Sequence, residues 1–313
     1  MANILITGGA GYIGSVLTRS LLEQNHKVTV LDNLLFDQSS LLDVCKFESF
    51  NIIVGDVRDE KLIKNIISKF DIIIPLAAIV GAPLSEKLPR DTKEINEDAI
   101  KLMCKYLSKN QIIIMPVTNS GYGAGKPEKI YTEESPLNPI SMYGKTKVNA
   151  EKIVRDRGNF VSFRLATVFG MSPRMRLDLL VNNFVYLAVN QRSLSIFEGH
   201  FKRNYIHIQD VVKVFSYTID NFEKLKNNIF NFGLEDANLS KLELAHKIKD
   251  FVPDLKILED KNRQDPDKRN YIVSNKKILN TGFKMDWSLE KGISELIKGI
   301  KILKNFENFV NAK

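Results

Sequence analysis

The first apolar run of the chain, Ile4-Leu5-Ile6, leads through Thr7 into Gly8-Gly9-Ala10-Gly11-Tyr12-Ile13-Gly14. The apolar run predicts a strand at residues 4–7, and the pattern after the glycines predicts a helix at residues 12–24. In such a strand–turn–helix, Gly8 allows the tight turn, Gly11 lets the backbone approach a pyrophosphate, and Gly14 lets the helix pack closely on the strand. Unpaired N–H groups at the helix N-terminus can then bind phosphate oxygens. The segment predicts a dinucleotide site, and the glycine spacing favours this over a strand–turn–helix without a ligand.

Short β-branched runs alternate with amphipathic stretches through the first half of the chain. The runs predict strands, nearly all buried on both faces, at residues 4–7, 28–31, 52–54, 72–75, 112–117 and 161–168. The stretches between them predict helices at residues 12–24, 60–70, 92–108 and 143–157. This alternation is typical of an α/β fold with a Rossmann-like, doubly wound parallel sheet.

The pattern loosens after about Gly170, with an apolar helix expected at residues 178–189 and a closing helix at residues 288–303. We therefore expect an NAD-binding domain at residues 1–170, with a return segment near residues 203–218. Residues 171–313 are expected to form a smaller, mixed α/β substrate-binding lobe over the carboxyl edge of the sheet.

The composition argues against several classes of protein. No apolar run approaches the roughly 20 residues of a membrane-spanning helix, and the chain reads directly into a strand without a basic leader and cleavage site. The net charge of +8 comes from scattered lysines, which disfavours nucleic acid and favours a locally basic pocket for a phosphorylated small molecule. Cys45 and Cys104 lack metal or CxxC spacing, so we expect free thiols, no metal site and a cytoplasmic protein.

Two acidic residues follow predicted strands of the first half. Asp32 ends the second strand, where its carboxylate can accept both ribose hydroxyls and would repel a 2′-phosphate, so NAD is favoured over NADP. A capping role is the alternative. Asp56, in Gly55-Asp56-Val57, could bind the adenine amino group, whereas Asp59 is placed as a helix N-cap.

Tyr143 and Lys147 stand one helical turn apart in Ser141-Met142-Tyr143-Gly144-Lys145-Thr146-Lys147. Residues at i and i+4 lie on the same helix face. The ammonium could lower the phenol's usual pKa of about 10 and make it a base for an alcohol proton. The spacing alone also fits a surface Tyr–Lys pair.

Together these segments resemble the extended short-chain dehydrogenase/reductase family, specifically its nucleotide-sugar epimerases and dehydratases. The resemblance rests on the glycine loop, Gly55-Asp56-Val57, Leu76-Ala77-Ala78, residues 118–123, residues 143–147 and residues 203–207. It implies a catalytic triad of Thr118, Tyr143 and Lys147. Tyr143 would take the proton of the sugar 4-hydroxyl while nicotinamide accepts the hydride from C4. Lys147 would bind the nicotinamide ribose and keep Tyr143 ionised, and Thr118 would hydrogen-bond the C4 oxygen.

The resemblance also implies which residues contact the two ligands. The implied cofactor-binding residues are Gly8, Gly11, Tyr12, Ile13, Gly14, Asp32, Asn33, Asp56, Val57, Leu76, Ala77, Ala78, Asn96, Tyr143 and Lys147. The implied substrate-binding residues are Thr118, Asn119, Ser120, Thr167, Arg174, Arg176, Asn182, Arg203 and Arg263. Arg203 matches the arginine that neutralises the substrate's diphosphate, with a structural or solvated role as the alternative. The implied partner is a nucleotide-diphosphate sugar, and family members often form homodimers through the helix that bears the tyrosine.

Departures from the family pattern bear on the reaction. The 4,6-dehydratases place Asp-Glu directly after the threonine, and nucleotide-sugar decarboxylases carry a glutamate where Ser120 stands; this chain has Thr118-Asn119-Ser120. Thr167 replaces a usual asparagine, which puts one substrate contact in doubt. Because neither Asn119 nor Ser120 carries a carboxyl group, dehydration and decarboxylation are disfavoured. The remaining reaction is oxidation at C4, catalysed by a 4-dehydrogenase or a 4-epimerase.

The full chain, particularly residues 118–123 and 173–178, most resembles the GDP-manno-heptose 4-dehydrogenases of bacterial surface-polysaccharide synthesis. A non-catalytic dinucleotide sensor with the same fold is the alternative from another class.

Overall fold

The computed structural model describes residues 1–37, 39–126, 128–260, 269–303 and 306–311. Its strands are β1 (Asn3–Thr7), β2 (Lys27–Asp32), β3 (Phe50–Val54), β4 (Ile72–Pro75), β5 (Ile112–Thr118), β6 (Ile130–Tyr131), β7 (Phe160–Leu165), β8 (Thr167–Phe169), β9 (Ser193–Ile196), β10 (Lys202–His207), β11 (Asn228–Phe232), β12 (Asn238–Ser240), β13 (Lys256–Glu259) and β14 (Ile272–Val273). Its α-helices are α1 (Tyr12–Glu23), α2 (Glu60–Ile66), α3 (Ala82–Lys87), α4 (Pro89–Lys93), α5 (Ala99–Tyr106), α6 (Met142–Arg157), α7 (Leu180–Gln191), α8 (Ile208–Asp220), α9 (Phe222–Leu225), α10 (Lys241–Lys249), α11 (Lys276–Leu279) and α12 (Leu289–Ile300).

Seven strands form the central sheet in the order β11-β7-β5-β4-β1-β2-β3, and every neighbouring pair is parallel. This confirms the predicted Rossmann-like α/β fold. The chain leaves β1 towards β2 and β3, and then returns to the other side of β1 as β4. Such a reversal opens a crevice at the carboxyl ends of the strands, where ligands bind in open α/β sheets.

The sheet separates two apolar cores because successive side chains of a strand point to opposite faces. On β1, Ile4 and Ile6 join the core that also contains residues of α1 and α8, whereas Leu5 joins the core beneath α2 and α5. The expectation that nearly all strands are buried on both faces is wrong for β3, where Ile52 and Val54 are 39% and 65% exposed. The reason is that β3 lies at the edge of the sheet.

The run predicted as one strand at residues 161–168 is two strands in different sheets. β7 ends at Leu165 in the central sheet, and β8 pairs with β10, which pairs with β12. Ala166 forms the step between them and donates its N–H to the Phe232 carbonyl (2.9 Å). The chain therefore passes from the central sheet to the three-stranded sheet at Ala166.

Residues 203–218, the segment expected to return to the first lobe, span most of β10 and α8. β10 belongs to the three-stranded sheet, α8 packs on α1, and β11 adds the seventh strand of the central sheet. The helix expected at residues 92–108 is also interrupted, since α4 passes through a π-helical turn at Glu94–Asp98 into α5. Across the described ranges, no helix is long and apolar enough to span a membrane.

Candidate active site

The glycine loop forms one wall of a cavity of about 300 Å³ at the carboxyl edge of the sheet. Gly8 has φ of 72°, and a Cβ there would lie 2.5 Å from the Ala77 nitrogen, so the loop after β4 runs directly against it. Gly11 is the N-cap of α1 and has no side chain to accept from the first helical turn. Tyr12, Ile13 and Gly14 of this first turn line the cavity, and the arrangement fits a pyrophosphate.

Asp32 connects the glycine loop to the loop after β2. Its Oδ2 accepts from the Ala10 N–H (2.9 Å) and its Oδ1 from the Leu34 N–H (2.8 Å). The carboxylate lines the cavity together with Asn33, Asp56 and Val57 of the neighbouring strand ends. A carboxylate held in this way by backbone donors is oriented for ribose hydroxyls.

Asp56 has a strong partner inside the protein. Arg58 donates from Nη2 to Asp56 Oδ2 (2.7 Å) and from Nε to Oδ1 (3.0 Å). These hydrogen bonds hold the pKa of Asp56 below its usual value, so the group stays ionised. Asp59 is confirmed as an N-cap, because its side chain accepts from the Leu62 N–H (3.1 Å).

Thr118, Tyr143 and Lys147 line the same cavity as the glycine loop. Thr118 is the last residue of β5, and the other two lie in the first turns of α6. Ser141 caps this helix by accepting from the Gly144 N–H (3.1 Å). The cap fixes where α6 begins, and the one-turn spacing then turns Tyr143 and Lys147 to the cavity together.

Burial is the largest influence on both of these ionisable groups. It raises the pKa of Tyr143, while a hydrogen bond with Thr118 and the positive charges of Arg176 and Arg269 lower it. Burial lowers the pKa of Lys147 to about 8, and Glu151 opposes this shift. Arg176 and Arg269 are thus two cations that lower the pKa of Tyr143, and the expected influence of Lys147 on Tyr143 stays a prediction.

Arg269 is the site residue that sequence reasoning missed. Its Nη1 donates to Ser120 Oγ (2.6 Å), to which Thr118 Oγ1 also donates (3.0 Å). Arg269 thus joins the hydrogen-bonded chain that leads through Thr118 to Tyr143. The sequence feature that could have indicated Arg269 is its position just before the short strand β14. The arginine expected in this region, Arg263, lies outside the described residues.

Asn119 presents a polar side chain to the cavity. It is 2% exposed, and within the described residues neither its Oδ1 nor its Nδ2 has a hydrogen-bond partner. A buried amide without partners is costly unless a ligand completes its hydrogen bonds. Thr167, Arg174 and Arg176 also line the cavity, and Arg176 forms a two-point ion pair with Asp178 (Nη2–Oδ2 2.6 Å, Nε–Oδ1 3.2 Å).

The side-chain amides of Asn96 and Asn182 are hydrogen-bonded to other groups of the protein. Asn96 accepts from the Ile79 N–H (2.8 Å) and donates to the Ile79 carbonyl (2.9 Å). Asn182 accepts from the Gly170 N–H (3.0 Å) and donates to the Arg176 carbonyl (2.9 Å). Both are almost fully buried, and both hold segments that line the cavity through Ile79 and Arg176. Their expected ligand contacts stay predictions.

Arg203 lies on β10, paired in register with Leu239, and is 6% exposed. Burial raises the pKa of Tyr205, and Arg203 and Arg269 both lower it. Arg269 is among the described residues that line the cavity, and Arg203 is not. Across the described part of the chain, no group of three or more His, Cys, Asp or Glu is arranged to hold a metal ion.

Comparison with known proteins identifies relatives over most of the chain. The family model described as "NAD dependent epimerase/dehydratase family" matches residues 4–233. A dTDP-D-glucose 4,6-dehydratase of Dictyostelium discoideum is 31% identical over 270 residues, which are 78% of this chain and 61% of that protein. A UDP-glucose 4-epimerase of Lactobacillus helveticus is 28% identical over 272 residues, covering 78% of this chain and 81% of the relative.

Solved structures share the fold at lower identity. A UDP-N-acetylglucosamine 4-epimerase from Methanobrevibacter ruminantium M1, in complex with UDP-N-acetylmuramic acid, superposes with a TM-score of 0.85 at 24% identity and covers 96% of this chain and 99% of its own. A dTDP-glucose 4,6-dehydratase from Bacillus anthracis, in complex with NAD, superposes with a TM-score of 0.83 at 19% identity and covers 96% and 97%. At these identities the structures establish the shared fold.

Proposed function

The chain belongs to the NAD dependent epimerase/dehydratase family, and on that premise we propose that it oxidises the C4 hydroxyl of a nucleoside-diphosphate sugar to a 4-keto sugar. The observation that carries the proposal is the meeting of Thr118, Tyr143 and Lys147 in the cavity walled by the glycine loop. In place of the carboxyl pair that dehydration needs, the cavity holds Asn119 and Ser120.

Each of the three residues has a definite task in this proposal. Tyr143 takes the proton of the C4 hydroxyl, and the bound NAD supplies the hydride acceptor. Thr118, already hydrogen-bonded to Tyr143, orients the C4 oxygen. Lys147 stays mostly protonated at neutral pH with a pKa of about 8, so it binds ribose hydroxyls as a donor. Arg176 and Arg269 favour the phenolate that forms when Tyr143 gives up its proton.

The charges in the cavity also argue against dehydration. Among its described lining residues the carboxylates are Asp32, Asp37 and Asp56, at the end of β2 or on the loops after β2 and β3. Those loops lie at the cofactor's adenosine end, whereas the reacting sugar belongs beside β5 and α6. Asn119 has no titratable proton, and Ser120 is bonded to Arg269 and Thr118. Neither can serve as the acid and base that removal of water requires.

For the substrate, we place the anionic diphosphate against Arg269, with Arg176 and the Asn119 amide nearer the sugar. Our first candidate is GDP-manno-heptose, turned over by a 4-dehydrogenase that releases the ketone. It is supported by the likeness of residues 118–123 and 173–178 to that group of enzymes.

A 4-epimerase is the second candidate. It is supported by UDP-glucose 4-epimerases among the relatives, one of them matching over 78% of this chain. The same three residues serve both outcomes, because epimerisation requires only that the ketone turn over and take the hydride back on its other face.

The deciding experiment incubates the protein with GDP-, UDP- and dTDP-sugars deuterated at C4. A 4-keto product with one reduced, deuterated cofactor per enzyme supports the dehydrogenase. A C4 epimer that keeps its deuterium, without net reduced cofactor, supports the epimerase. Loss of one molecule of water from the sugar would show dehydration instead. NAD binding with no affinity for any sugar nucleotide would contradict the proposal and favour a sensor.

We also propose a homodimer formed through α6, the helix that carries Tyr143 and Lys147. Light scattering on the purified protein tests this, and a monomeric mass at micromolar concentration would contradict it. Lys145→Glu, which reverses a charge, combined with Asn149→Asp, which adds one, should weaken such a dimer, since both residues are exposed on α6.

A further inference from the structure

Arg174 stands on a loop, residues 170–178, that is tied to the first turns of α1. Tyr12 donates its hydroxyl to the Gly170 carbonyl (2.7 Å), and Ser172 donates its hydroxyl to the Tyr12 carbonyl (2.7 Å). The Ser15 and Ser172 hydroxyls are also hydrogen-bonded (3.1 Å). The loop is therefore held over the helix whose N-terminus faces the cofactor pyrophosphate.

The guanidinium of Arg174 is buried with incomplete hydrogen bonding. Arg174 is 2% exposed and lines the cavity. Its Cζ lies 4.2 Å from the ring centroid of Phe36, on the loop after β2. Among the described residues, neither its Nε nor its Nη2 has a hydrogen-bond partner. A buried cation with open donors is a strong indication that an anion completes the site.

The charges around Arg174 place that anion at the cofactor end. Burial and then the charge of Arg176 lower the pKa of Arg174 to about 10, and Asp178 and Asp32 raise it. Asp32 is the carboxylate expected on the adenosine ribose. By contrast Arg176, two residues further on, influences Tyr143 in the reaction centre. The two arginines of this loop thus face different ligands.

We propose that Arg174 binds the cofactor and not the sugar nucleotide: its guanidinium, stacked on Phe36 above α1, donates to the pyrophosphate of NAD. A loop of the second lobe would then close over the cofactor and retain it. This revises the assignment of Arg174 to the substrate set. It holds whichever sugar is oxidised, so its failure and the failure of the proposed function are separable.

The test measures ligand binding by calorimetry on cofactor-stripped Arg174→Met and Arg174→Lys variants. Arg174→Met should lower the affinities for NAD and for ADP-ribose by the same factor, about 10- to 100-fold, as expected for one charge-assisted hydrogen bond. Adenosine, which lacks the pyrophosphate, should bind as it does to the wild type. Binding of GDP and UDP, measured with NAD saturating, should also be unchanged. Arg174→Lys should recover part of the affinity.

Thermal melting supplies a second readout. Without ligand, Arg174→Met should melt at or above the wild-type temperature, because a buried cation is removed, while the rise in Tm produced by NAD should shrink. Arg90→Met, an exposed arginine on α4, should change none of these values. Loss of GDP or UDP affinity with NAD affinity intact, or no change for any ligand, would overturn the proposal. A lower Tm in both Arg174 variants without ligand would instead show a structural role.

Discussion

The two halves of the cavity are built from different parts of the polypeptide. The cofactor half, formed by residues 8–14 and 76–78 with Asp32, relies on backbone: a turn at positive φ, a helix N-terminus and a carboxylate held by two N–H groups. The substrate half, which we define as residues 118–120 with Arg176 and Arg269, relies on side chains joined by hydrogen bonds across distant segments. In the cofactor half, added side-chain atoms would clash with the closely packed backbone. The substrate half depends instead on particular charged and hydroxyl groups.

This contrast predicts two mutational signatures. An added methyl group should damage the cofactor half, and a removed charge or hydroxyl should damage the substrate half. Tyr143 and Lys147 lie where the halves meet, so changes there should have the largest effects.

Replacing Tyr143 with Phe should give the largest loss. Without the hydroxyl no group is placed to take the C4 proton, and general acid–base contributions of this kind are about 10²–10⁴-fold. We expect kcat for 4-keto formation to fall by that factor while NAD affinity stays within about twofold. Tyr106→Phe, on α5 with its hydroxyl on Glu60, is the matched control. Unchanged turnover in Tyr143→Phe would remove Tyr143 from the mechanism.

The next effect concerns Lys147 and the pH dependence of stability. Burial lowers its pKa from 10.5 to about 8, so between these pH values the unfolded chain binds the proton and the folded chain does not. The free energy of unfolding therefore rises with pH through this window. The full penalty, present below pH 8, is about 3 kcal/mol.

Urea unfolding of the cofactor-free protein measures this penalty. Lys147→Met should be more stable than the wild type at pH 7, and the difference should shrink towards pH 10. The exposed Lys101→Met of α5 should show no such trend. A wild-type advantage at pH 7 would mean that Lys147 is stabilised by contacts that outweigh its burial.

Much of the cofactor half could be predicted from the sequence because its determinants are local. The glycines lie within seven residues of each other, and Asp32 is the last residue of its strand. The spacing of Tyr143 and Lys147 places both on the same helix face. Each of these needs only a secondary-structure assignment, and the strands and helices were largely placed correctly.

The substrate half could not be predicted in the same way, because its geometry depends on tertiary packing. Arg269 meets Ser120 across 149 residues of chain, and no periodicity marks that approach. Arg203 and Arg269 both lower the pKa of Tyr205, but which of them lines the cavity depends on the tertiary fold. The hydrogen bond from the Asn182 amide to the Arg176 carbonyl likewise forms only when the chain is folded.

A paired replacement of Arg269 and Arg263 tests the substrate half. Arg269→Met removes the donor to Ser120 and one charge beside the proposed diphosphate, so we expect a 10- to 100-fold higher KM for the sugar nucleotide, equivalent to about 1.5–3 kcal/mol. NAD affinity should be unchanged. Arg263→Met, within the same segment of chain, should have a smaller effect on KM. The reverse ranking would restore Arg263 as the diphosphate ligand.

Gly14→Ala, which adds one methyl group, tests the cofactor half. We expect its effect to be comparable to or smaller than that of Arg269→Met. A Cβ there would overlap the Gly8 carbonyl oxygen and lie 2.6 Å from Gly9 Cα, both parts of the backbone. Overpacking of this kind costs about 1–3 kcal/mol, and the shift of the glycine loop should lower NAD affinity together with Tm. Gly199→Ala is the control, since its Cβ would meet its nearest neighbours at 3.5 Å. If Gly14→Ala keeps normal NAD affinity, the backbone of this half tolerates added atoms, and the contrast between the two halves fails.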